Sequence, residues 1–264
     1  MDKSSPILLF DSGVGGLTVY DALREVLPQA PVIYAADLAG LPYGSKTEAQ
    51  IAARVAGLLG RMAERWQPRL ACIACNTAST IALGMVRDVL EIPVVGTVPA
   101  IKPAAALTRT GTIGLVGTEA TIRQKYVDDL EAEFAGGKRL LRVAAPALVG
   151  AAEAKLRGEA VDPALIGDVK DRLAALAGDA RIDTLVLACT HFPLLAEEFA
   201  AAFGAEVAQV DGAQGIARRI ASLLDGQSFA ASGPNRFVVT GPVEGAKGLD
   251  KVLAARGFTA PEAF

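Results

Sequence analysis

Two of the three cysteines of the chain stand in matching sequence settings. Cys75 closes an apolar run that starts at Leu70, and Cys189 closes one that starts at Leu185. Polar residues able to begin a helix follow each cysteine, and a helix N-terminus favours the thiolate form that acts as a base. A single buried cysteine is often an inert core residue. Because the setting recurs, the pattern favours a pair of acid/base thiols over two structural ones.

Three further side chains could act with these thiols or could be structural. His191, the only histidine, is two residues after Cys189, where it is either a partner for that thiol or a core histidine with satisfied nitrogens. Asp11 ends another apolar run and either accepts a proton from Cys75 or caps a helix. Cys72 lies inside the apolar run before Cys75, so we expect it to face the other side of the strand and belong to the core.

A glycine-rich loop follows the first apolar run. Its glycines are Gly13, Gly15 and Gly16, a spacing that differs from the G-x-G-x-x-G of dinucleotide sites, so a nicotinamide cofactor is not indicated. A loop of this kind before a helix exposes backbone N–H groups that bind a small carboxylate. Pro42-Tyr43-Gly44 and Asn76-Thr77 supply further neutral groups for the same kind of ligand.

Short apolar runs alternate with longer segments of helical periodicity, which predicts a mostly parallel sheet covered by helices, an α/β fold. After Tyr43, the spacing of Ser45 and Glu48 predicts a capping box. Apolar residues then recur at helical spacing as far as Trp66, which we expect in the core. The predicted strands are Ile7–Phe10, Val32–Ala35, Leu70–Ala74, Val94–Thr97, Ile113–Val116, Leu185–Ala188 and Val207–Val210.

The two cysteine-bearing runs suggest two related lobes. The proline-rich crossing Val95–Pro103 reads as a linker between them, and the chain returns to the first lobe near Val210. We therefore expect a first lobe of residues 1–97 plus 209–264, which carries Asp11 and Cys75, and a second lobe of residues 98–208, which carries Cys189. Ligands of open parallel sheets bind at the carboxyl ends of the strands, where these residues stand.

Composition excludes several classes of partner. The 264 residues carry a formal net charge of -3 and no basic stripe, so nucleic acid is not expected as a primary partner. No apolar run reaches the length of a membrane span, and the first residues lack the layout of a secretory signal. Three cysteines are an odd number, which leaves at least one free thiol and favours a reducing, cytoplasmic location.

Five blocks in chain order resemble the signature of the glutamate racemase family. They are Phe10-Asp-Ser-Gly-Val-Gly-Gly-Leu17, Leu41-Pro-Tyr-Gly44, Ala74-Cys-Asn-Thr-Ala-Ser79, Gly117-Thr-Glu-Ala-Thr-Ile122 and Ala188-Cys-Thr-His-Phe-Pro193. The resemblance spans about residues 7 to 224. It implies two similar parallel-sheet α/β lobes related by pseudo-symmetry with the active site between them. It further implies racemisation of glutamate without pyridoxal phosphate or any other cofactor, and supply of D-glutamate for peptidoglycan.

Carried over by position, Cys75 and Cys189 resemble the two catalytic thiols, with Cys189 acting on L-glutamate and Cys75 on D-glutamate, and Asp11 and His191 resemble the groups that assist them. Glu153 resembles an auxiliary residue, although the segment Ala145–Glu153 departs from the usual Cys-Pro start of this block. The substrate-contacting set comprises Asp11, Ser12, Pro42, Tyr43, Gly44, Asn76, Thr77, Thr118, Thr121, Glu153 and Thr190.

Alternatives from other classes stay open at this point. Cys72, Cys75, Cys189 and His191 match the composition of a Cys₃His zinc site. A related two-thiol enzyme could act on aspartate or a hydantoin, although the blocks at Asp11–Leu17 and Pro42–Gly44 favour glutamate by resemblance. A two-lobed binding protein would need neither thiol. The tail at residues 226–264 matches the family only diffusely. The sequence allows a homodimer without requiring one, and does not decide whether a cell-wall precursor activates the protein or whether it has a second role.

Overall fold

The structure is a computed structural model that describes residues 3–230 and 234–264. The chain divides into two compact units, Met1–Thr97 with Ala213–Phe264, and Val98–Gly212. The expected first lobe and the C-terminal tail include residues 1, 2 and 231–233, which lie outside the described residues. The return to the first unit comes at Ala213 and not at residue 209, because the intervening strand still pairs with the sheet of the second unit.

All the strands pair in parallel. In chain order they are β1 (Ile7–Asp11), β2 (Val32–Ala36), β3 (Leu70–Ile73), β4 (Val94–Gly96), β5 (Thr112–Gly117), β6 (Arg139–Ala144), β7 (Thr184–Ala188), β8 (Ala208–Val210), β9 (Arg236–Val239) and β10 (Glu262–Ala263). The helices are α1 (Leu17–Val26), α2 (Glu48–Trp66), α3 (Asn76–Val89), α4 (Ile101–Leu107), α5 (Glu119–Ile122), α6 (Lys125–Phe134), α7 (Ala147–Leu156), α8 (Pro163–Ala177), α9 (Ala196–Phe203), α10 (Ala213–Leu223) and α11 (Asp250–Ala254).

The two sheets share one topology. The first has the order β10-β9-β2-β1-β3-β4 and the second the order β6-β5-β7-β8. The inner order β2-β1-β3-β4 therefore recurs as β6-β5-β7-β8. This confirms the expected fold class of two similar parallel-sheet α/β lobes, with β3 and β7, the strands that precede the two cysteines, in equivalent positions.

Burial explains which strands were predictable. Every residue of β1, β3 and β7 is buried, as expected for parallel strands covered on both faces, and each reads as a continuous apolar run. β6 was missed because Arg139 and Arg142 interrupt its apolar pattern, and it lies at the edge of its sheet with only its last two residues buried. β9 and β10 fall in the tail that carries no clear family pattern.

The start of α2 corrects a prediction. The capping box is formed by Thr47 and Gln50 and not by Ser45 and Glu48: the Thr47 hydroxyl accepts from the Gln50 backbone N–H (3.2 Å), and the Gln50 side chain accepts from the Thr47 N–H (3.0 Å). The helix consequently begins two residues later than expected. Trp66 at its end is only half-buried and packs against Phe264, with ring centroids 5.3 Å apart.

Among the described residues, no helix has the length and apolar character required to cross a bilayer.

Candidate functional site

In the first unit, Cys75 lies at the carboxyl edge of the sheet. It follows β3 and caps α3, where its Sγ accepts a hydrogen bond from the Ala78 backbone N–H (3.5 Å). Phe10 of β1 pairs with Ile73 of β3, so two residues further on Ser12 stands beside Cys75, with 3.4 Å between Oγ and Sγ. The thiol is thus buried, next to a hydroxyl, and at the N-terminus of a 14-residue helix; the helix dipole acts in favour of a negative charge at this position, whereas burial acts against it.

Asp11 is held by the glycine-rich loop that follows it. Its Oδ2 accepts from the Gly16 backbone N–H (2.9 Å) and from the Tyr34 hydroxyl (3.2 Å), and the residue is fully buried. Gly16 must be glycine here, because a Cβ would stand 2.9 Å from the Tyr34 hydroxyl oxygen and 3.0 Å from the Ala74 Cβ. The loop therefore orients the Asp11 carboxylate at the same sheet edge as Cys75.

Tyr43 is fixed by Asp37, a residue that the sequence analysis missed. The Tyr43 hydroxyl donates to Asp37 Oδ2 (2.6 Å), and Arg54 donates to both oxygens of that carboxylate from Nε (2.5 Å) and a terminal nitrogen (2.6 Å). The Thr240 hydroxyl donates to Asp37 as well. Burial raises the pKa of Asp37, but the hydrogen bonds from Arg54, Thr240 and Tyr43 outweigh it and hold the pKa below its usual value.

This network settles the protonation of Tyr43. Burial raises the pKa of the Tyr43 hydroxyl far above its usual value, and the charge of Asp37 raises it further, so the phenol remains a donor. Its proton is directed to Asp37, and the Tyr43 carbonyl oxygen accepts from the Lys46 backbone N–H (3.0 Å), so both ends of this residue are fixed. The only sequence signal for Asp37 was its position directly after β2, the neighbour of β1.

Asn76 and Thr77 form the first turn of α3 directly after Cys75, and both are buried. Among the described residues, Asn76 Oδ1 has no hydrogen-bond partner. A buried amide oxygen without a partner is costly unless a ligand or water supplies one.

Cys72 has a different setting from Cys75, because it is fully buried within β3. Burial raises the pKa of its thiol well above the usual value, and the charge of Asp11 raises it further. Cys72 is therefore an uncharged core residue, as expected.

The second unit repeats this arrangement. Gly117 of β5 pairs with Ala188 of β7, so one residue further on Thr118 and Cys189 correspond to Ser12 and Cys75. Thr118 caps α5, its Oγ1 accepts from the Thr121 backbone N–H (3.3 Å), and the two threonine hydroxyls are 3.0 Å apart. Thr190, which follows Cys189, is also buried. Cys189 therefore has hydroxyl residues as neighbours: Thr118 is opposite it in the register of β5 and β7, and Thr190 follows it in the sequence.

Cys189 additionally begins a chain of side-chain contacts. Its Sγ lies 3.8 Å from Nδ1 of His191, and His191 Nε2 lies 3.2 Å from Oε1 of Glu153. Arg157, which caps the end of α7, donates to the Glu153 carbonyl oxygen (3.0 Å) and contacts its carboxylate (3.3 Å). Burial raises the pKa of Glu153, but its contacts with His191 and Arg157 outweigh that effect and lower it, so Glu153 is a carboxylate.

These contacts define what the second unit can do chemically. If Nε2 carries a proton toward the Glu153 carboxylate, Nδ1 presents a lone pair to Cys189 and can take the thiol proton. The resulting imidazolium would be stabilised by Glu153, as a carboxylate stabilises the histidine of other Cys–His pairs. No equivalent histidine exists in the first unit. Within the described ranges, no three His, Cys, Asp or Glu side chains gather in a way that could hold a metal ion.

Comparisons with known proteins identify one family of relatives. The family model described as Asp/Glu/Hydantoin racemase matches residues 16–220. A glutamate racemase of Sphingopyxis alaskensis is 62% identical over 227 residues, which cover 86% of this chain and 85% of the relative. The solved Escherichia coli glutamate racemase in complex with L-glutamate and the activator UDP-MurNAc-ala is similar with a TM-score of 0.89 and 41% identity, covering 98% of both chains. The Francisella tularensis glutamate racemase in complex with D-glutamate gives a TM-score of 0.77 at 26% identity, covering 100% of this chain and 98% of that one.

Proposed function

We propose that this chain, which belongs to the glutamate racemases within the Asp/Glu/hydantoin racemase family, interconverts L- and D-glutamate with Cys75 and Cys189 as its two acid/base groups. The observation that carries the proposal is the repeat itself: each thiol follows the equivalent strand of a sheet with the same strand order, beside a hydroxyl residue of the neighbouring strand. The relatives from E. coli and F. tularensis bind L- and D-glutamate.

Two bases suit racemisation because the proton must leave one face of Cα and another must arrive on the opposite face. One cysteine, as thiolate, removes the Cα proton, and the electron pair of the C–H bond stays on the substrate. The other cysteine, as thiol, then gives its proton to the opposite face. The enzyme ends with the two protonation states exchanged, ready for the reverse reaction. We propose that Cys189 is the base toward L-glutamate and Cys75 the base toward D-glutamate.

The Cα proton is a far weaker acid than any thiol, so the charge that develops on the substrate must be stabilised. Hydrogen-bond donors directed at the substrate carboxylate perform this task in a site shielded from water. Ser12, the first turn of α3 with Asn76 and Thr77, and Thr190 in the second unit are all buried polar groups suited to it. We further propose that Asp11 assists Cys75, while His191 with Glu153 assists Cys189.

The proposed product, D-glutamate, would serve peptidoglycan synthesis, and the cytoplasm, where thiols stay reduced, suits three free cysteines. Activity should need neither pyridoxal phosphate nor metal. The decisive experiment follows the circular dichroism of L-glutamate incubated with purified protein, without added cofactor and with a chelator. Complete loss of the signal by racemisation is expected, whereas activity that appears only with added zinc or pyridoxal phosphate would contradict the mechanism.

Two alternatives are separated by further measurements. The family also contains enzymes for other acids, so kcat/KM for glutamate and aspartate should be compared; we expect glutamate to be strongly preferred, and equal values would contradict this specificity. A binding protein without catalysis would bind glutamate and leave its chirality unchanged. Replacement of both thiols by serine would then leave the affinity for glutamate unchanged.

A further inference from the structure

Tyr34 is a buried residue of β2 that lies outside all five sequence blocks. It pairs in register with Leu9 of β1, and Cys72 of β3 pairs with the same residue from the other side. Side chains two residues apart on a strand point to the same face of the sheet. Tyr34, Asp11 and Cys72 therefore lie on one face of the first sheet, and all three are fully buried.

The Tyr34 hydroxyl has a single proton and lies close to two acceptors. It is 3.2 Å from Asp11 Oδ2 and 3.2 Å from the Gly13 carbonyl oxygen. A hydrogen bond to an ionised acceptor is roughly twice as strong as one to a neutral acceptor, so the proton is directed to Asp11 while that carboxylate is charged. The Gly16 backbone N–H donates to the same oxygen (2.9 Å). Donors from β2 and from the glycine-rich loop thus hold Oδ2 together.

Aromatic side chains of the C-terminal tail keep the Tyr34 ring in place. The ring stacks on Phe237 of β9, with centroids 5.2 Å apart and 8° between the ring planes, and it forms an edge-to-face contact with Phe258 at 6.1 Å. Such aromatic pairs stabilise a structure beyond the burial of their surface. Because the ring is packed on two sides, the hydroxyl cannot follow the Asp11 carboxylate if that group rotates. The ring position therefore determines the carboxylate orientation.

We propose that Tyr34 is a positioning residue, which holds the Asp11 carboxylate in its charged form and in one orientation. Two further titratable groups on the neighbouring strands cannot replace it. Cys72, on the same face, is uncharged, because burial and the charge of Asp11 both raise the pKa of its thiol. The Asp37 carboxylate, which follows β2, is itself an acceptor and is bound by Arg54.

The consequence for catalysis rests on the proposed function, in which Asp11 assists Cys75. A carboxylate that rotates away from its productive orientation assists this thiol for a smaller fraction of the time, and small displacements of assisting groups slow reactions strongly. The step that uses Cys189 depends on His191 and Glu153 instead. Loss of the Tyr34 hydroxyl should therefore affect one enantiomer of the substrate only.

Tyr34→Phe removes the hydroxyl and keeps the ring, so the aromatic packing and the fold should be preserved. The matched control is Tyr20→Phe. Tyr20 is buried in the same aromatic cluster, with its ring centroid 4.3 Å from that of Phe258, but its hydroxyl donates to the Arg256 carbonyl oxygen (2.7 Å). The two variants thus lose the same atom from the same cluster, and only one loses it from Asp11.

The first measurement follows the Asp11 carboxyl group by ¹³C NMR of protein labelled at the aspartate Cγ, with the signal assigned by its loss in Asp11→Asn. Because the Tyr34 hydroxyl stabilises the charged form, the titration midpoint of Asp11 should rise by about 0.5 to 1 pH unit in Tyr34→Phe. It should not move in Tyr20→Phe. An unchanged midpoint in Tyr34→Phe would overturn the proposal. The titration needs no turnover, so its outcome is independent of racemase activity.

The second measurement uses glutamate analogues with a leaving group on Cβ, which eliminate after a single Cα deprotonation. Elimination from the D-analogue, which needs Cys75, should slow about 3- to 10-fold in Tyr34→Phe, while elimination from the L-analogue should stay within about twofold. Equal slowing of both enantiomers would overturn an action through Asp11. A native protein that turns over neither analogue would contradict the proposed function, and the titration would still decide the role of Tyr34.

Discussion

Replacing Glu153 by glutamine tests whether the contacts around Cys189 serve one thiol only. Glutamine keeps the size of the side chain and can still accept from His191 Nε2, so folding should be preserved, but the negative charge is lost. A hydrogen bond to a charged group is roughly twice as strong as a neutral one, so its loss costs about 1–2 kcal/mol of stabilisation of the imidazolium. At 1.36 kcal/mol per tenfold change, the reaction that needs the Cys189 thiolate should slow about 5- to 30-fold.

The assay must isolate one face of the substrate, because the proposed racemisation uses both thiols in either direction. A glutamate analogue with a leaving group on Cβ meets this need: after Cα deprotonation it eliminates, and no second proton transfer is required. In Glu153→Gln, elimination from the L-analogue should slow as calculated, while elimination from the D-analogue, which uses Cys75, should stay within about twofold. The matched control Glu159→Gln removes an exposed charge just beyond α7 and should affect neither.

The pH dependence of elimination from the L-analogue gives a further test of this prediction. The contacts with His191 and Arg157 lower the pKa of Glu153, so its carboxylate is present at neutral pH and favours the protonated imidazole beside it. Without that charge, elimination from the L-analogue should be slower at neutral pH, and the difference from the native protein should disappear as the pH falls through the lowered pKa of Glu153 and its carboxylate is protonated. Equal slowing of both enantiomers, or an unchanged profile for the L-analogue, would refute an action of Glu153 through His191 on Cys189.

Three other predictions concern single side chains. Cys75→Ser should abolish elimination from the D-analogue and spare the L-analogue, and Cys189→Ser should do the reverse; loss of both in each variant would contradict the assignment of faces. Cys72→Ser should retain activity and lose about 1–3 kcal/mol of unfolding free energy in denaturant, the cost of burying an unpaired hydroxyl. For Asp183, burial raises the pKa, but hydrogen bonds from Thr108 and neighbouring groups outweigh it and lower the pKa to about 2; its contribution is therefore present above pH 4 and lost as the pH falls toward 2. Asp183→Asn should destabilise the protein by about 1 kcal/mol at pH 7, and that difference should shrink as the pH falls through the pKa of about 2 and vanish below it.

The sequence predicted the parts of the candidate site that depend on local order along the chain. Cys75 and Cys189 follow fully buried apolar strands, and such strands are recognisable because both of their faces exclude polar residues. The pairing of Ser12 with Cys75 follows directly once β1 and β3 are neighbours.

The role of Asp37 was not predictable in the same way. Its partners Arg54 and Thr240 are 17 and 203 residues away. Arg54 reaches it from α2, and Thr240 reaches it because β9, in the tail, pairs with β2. No local pattern marks such a contact, since it depends on which strands become neighbours. The contact of Arg157 with Glu153 is different, because it has the local i, i+4 spacing of a helix; only the contact of Glu153 with His191, 38 residues away, depends on the fold.

The unequal surroundings of the two thiols are compatible with an equilibrium that favours neither enantiomer. L- and D-glutamate are mirror images with equal free energies in water, so kcat/KM must be the same in both directions for the native protein and for every variant. The His191–Glu153 pair beside Cys189 therefore cannot bias the product. The pair can change only how kcat/KM is divided between kcat and KM. A pair that favours the Cys189 thiolate increases the fraction of the protein that binds L-glutamate productively and decreases the fraction that binds D-glutamate productively. Glu153→Gln should consequently lower kcat/KM equally for both enantiomers in racemisation while their KM values move apart, and this signature distinguishes an altered thiol from a general loss of structure.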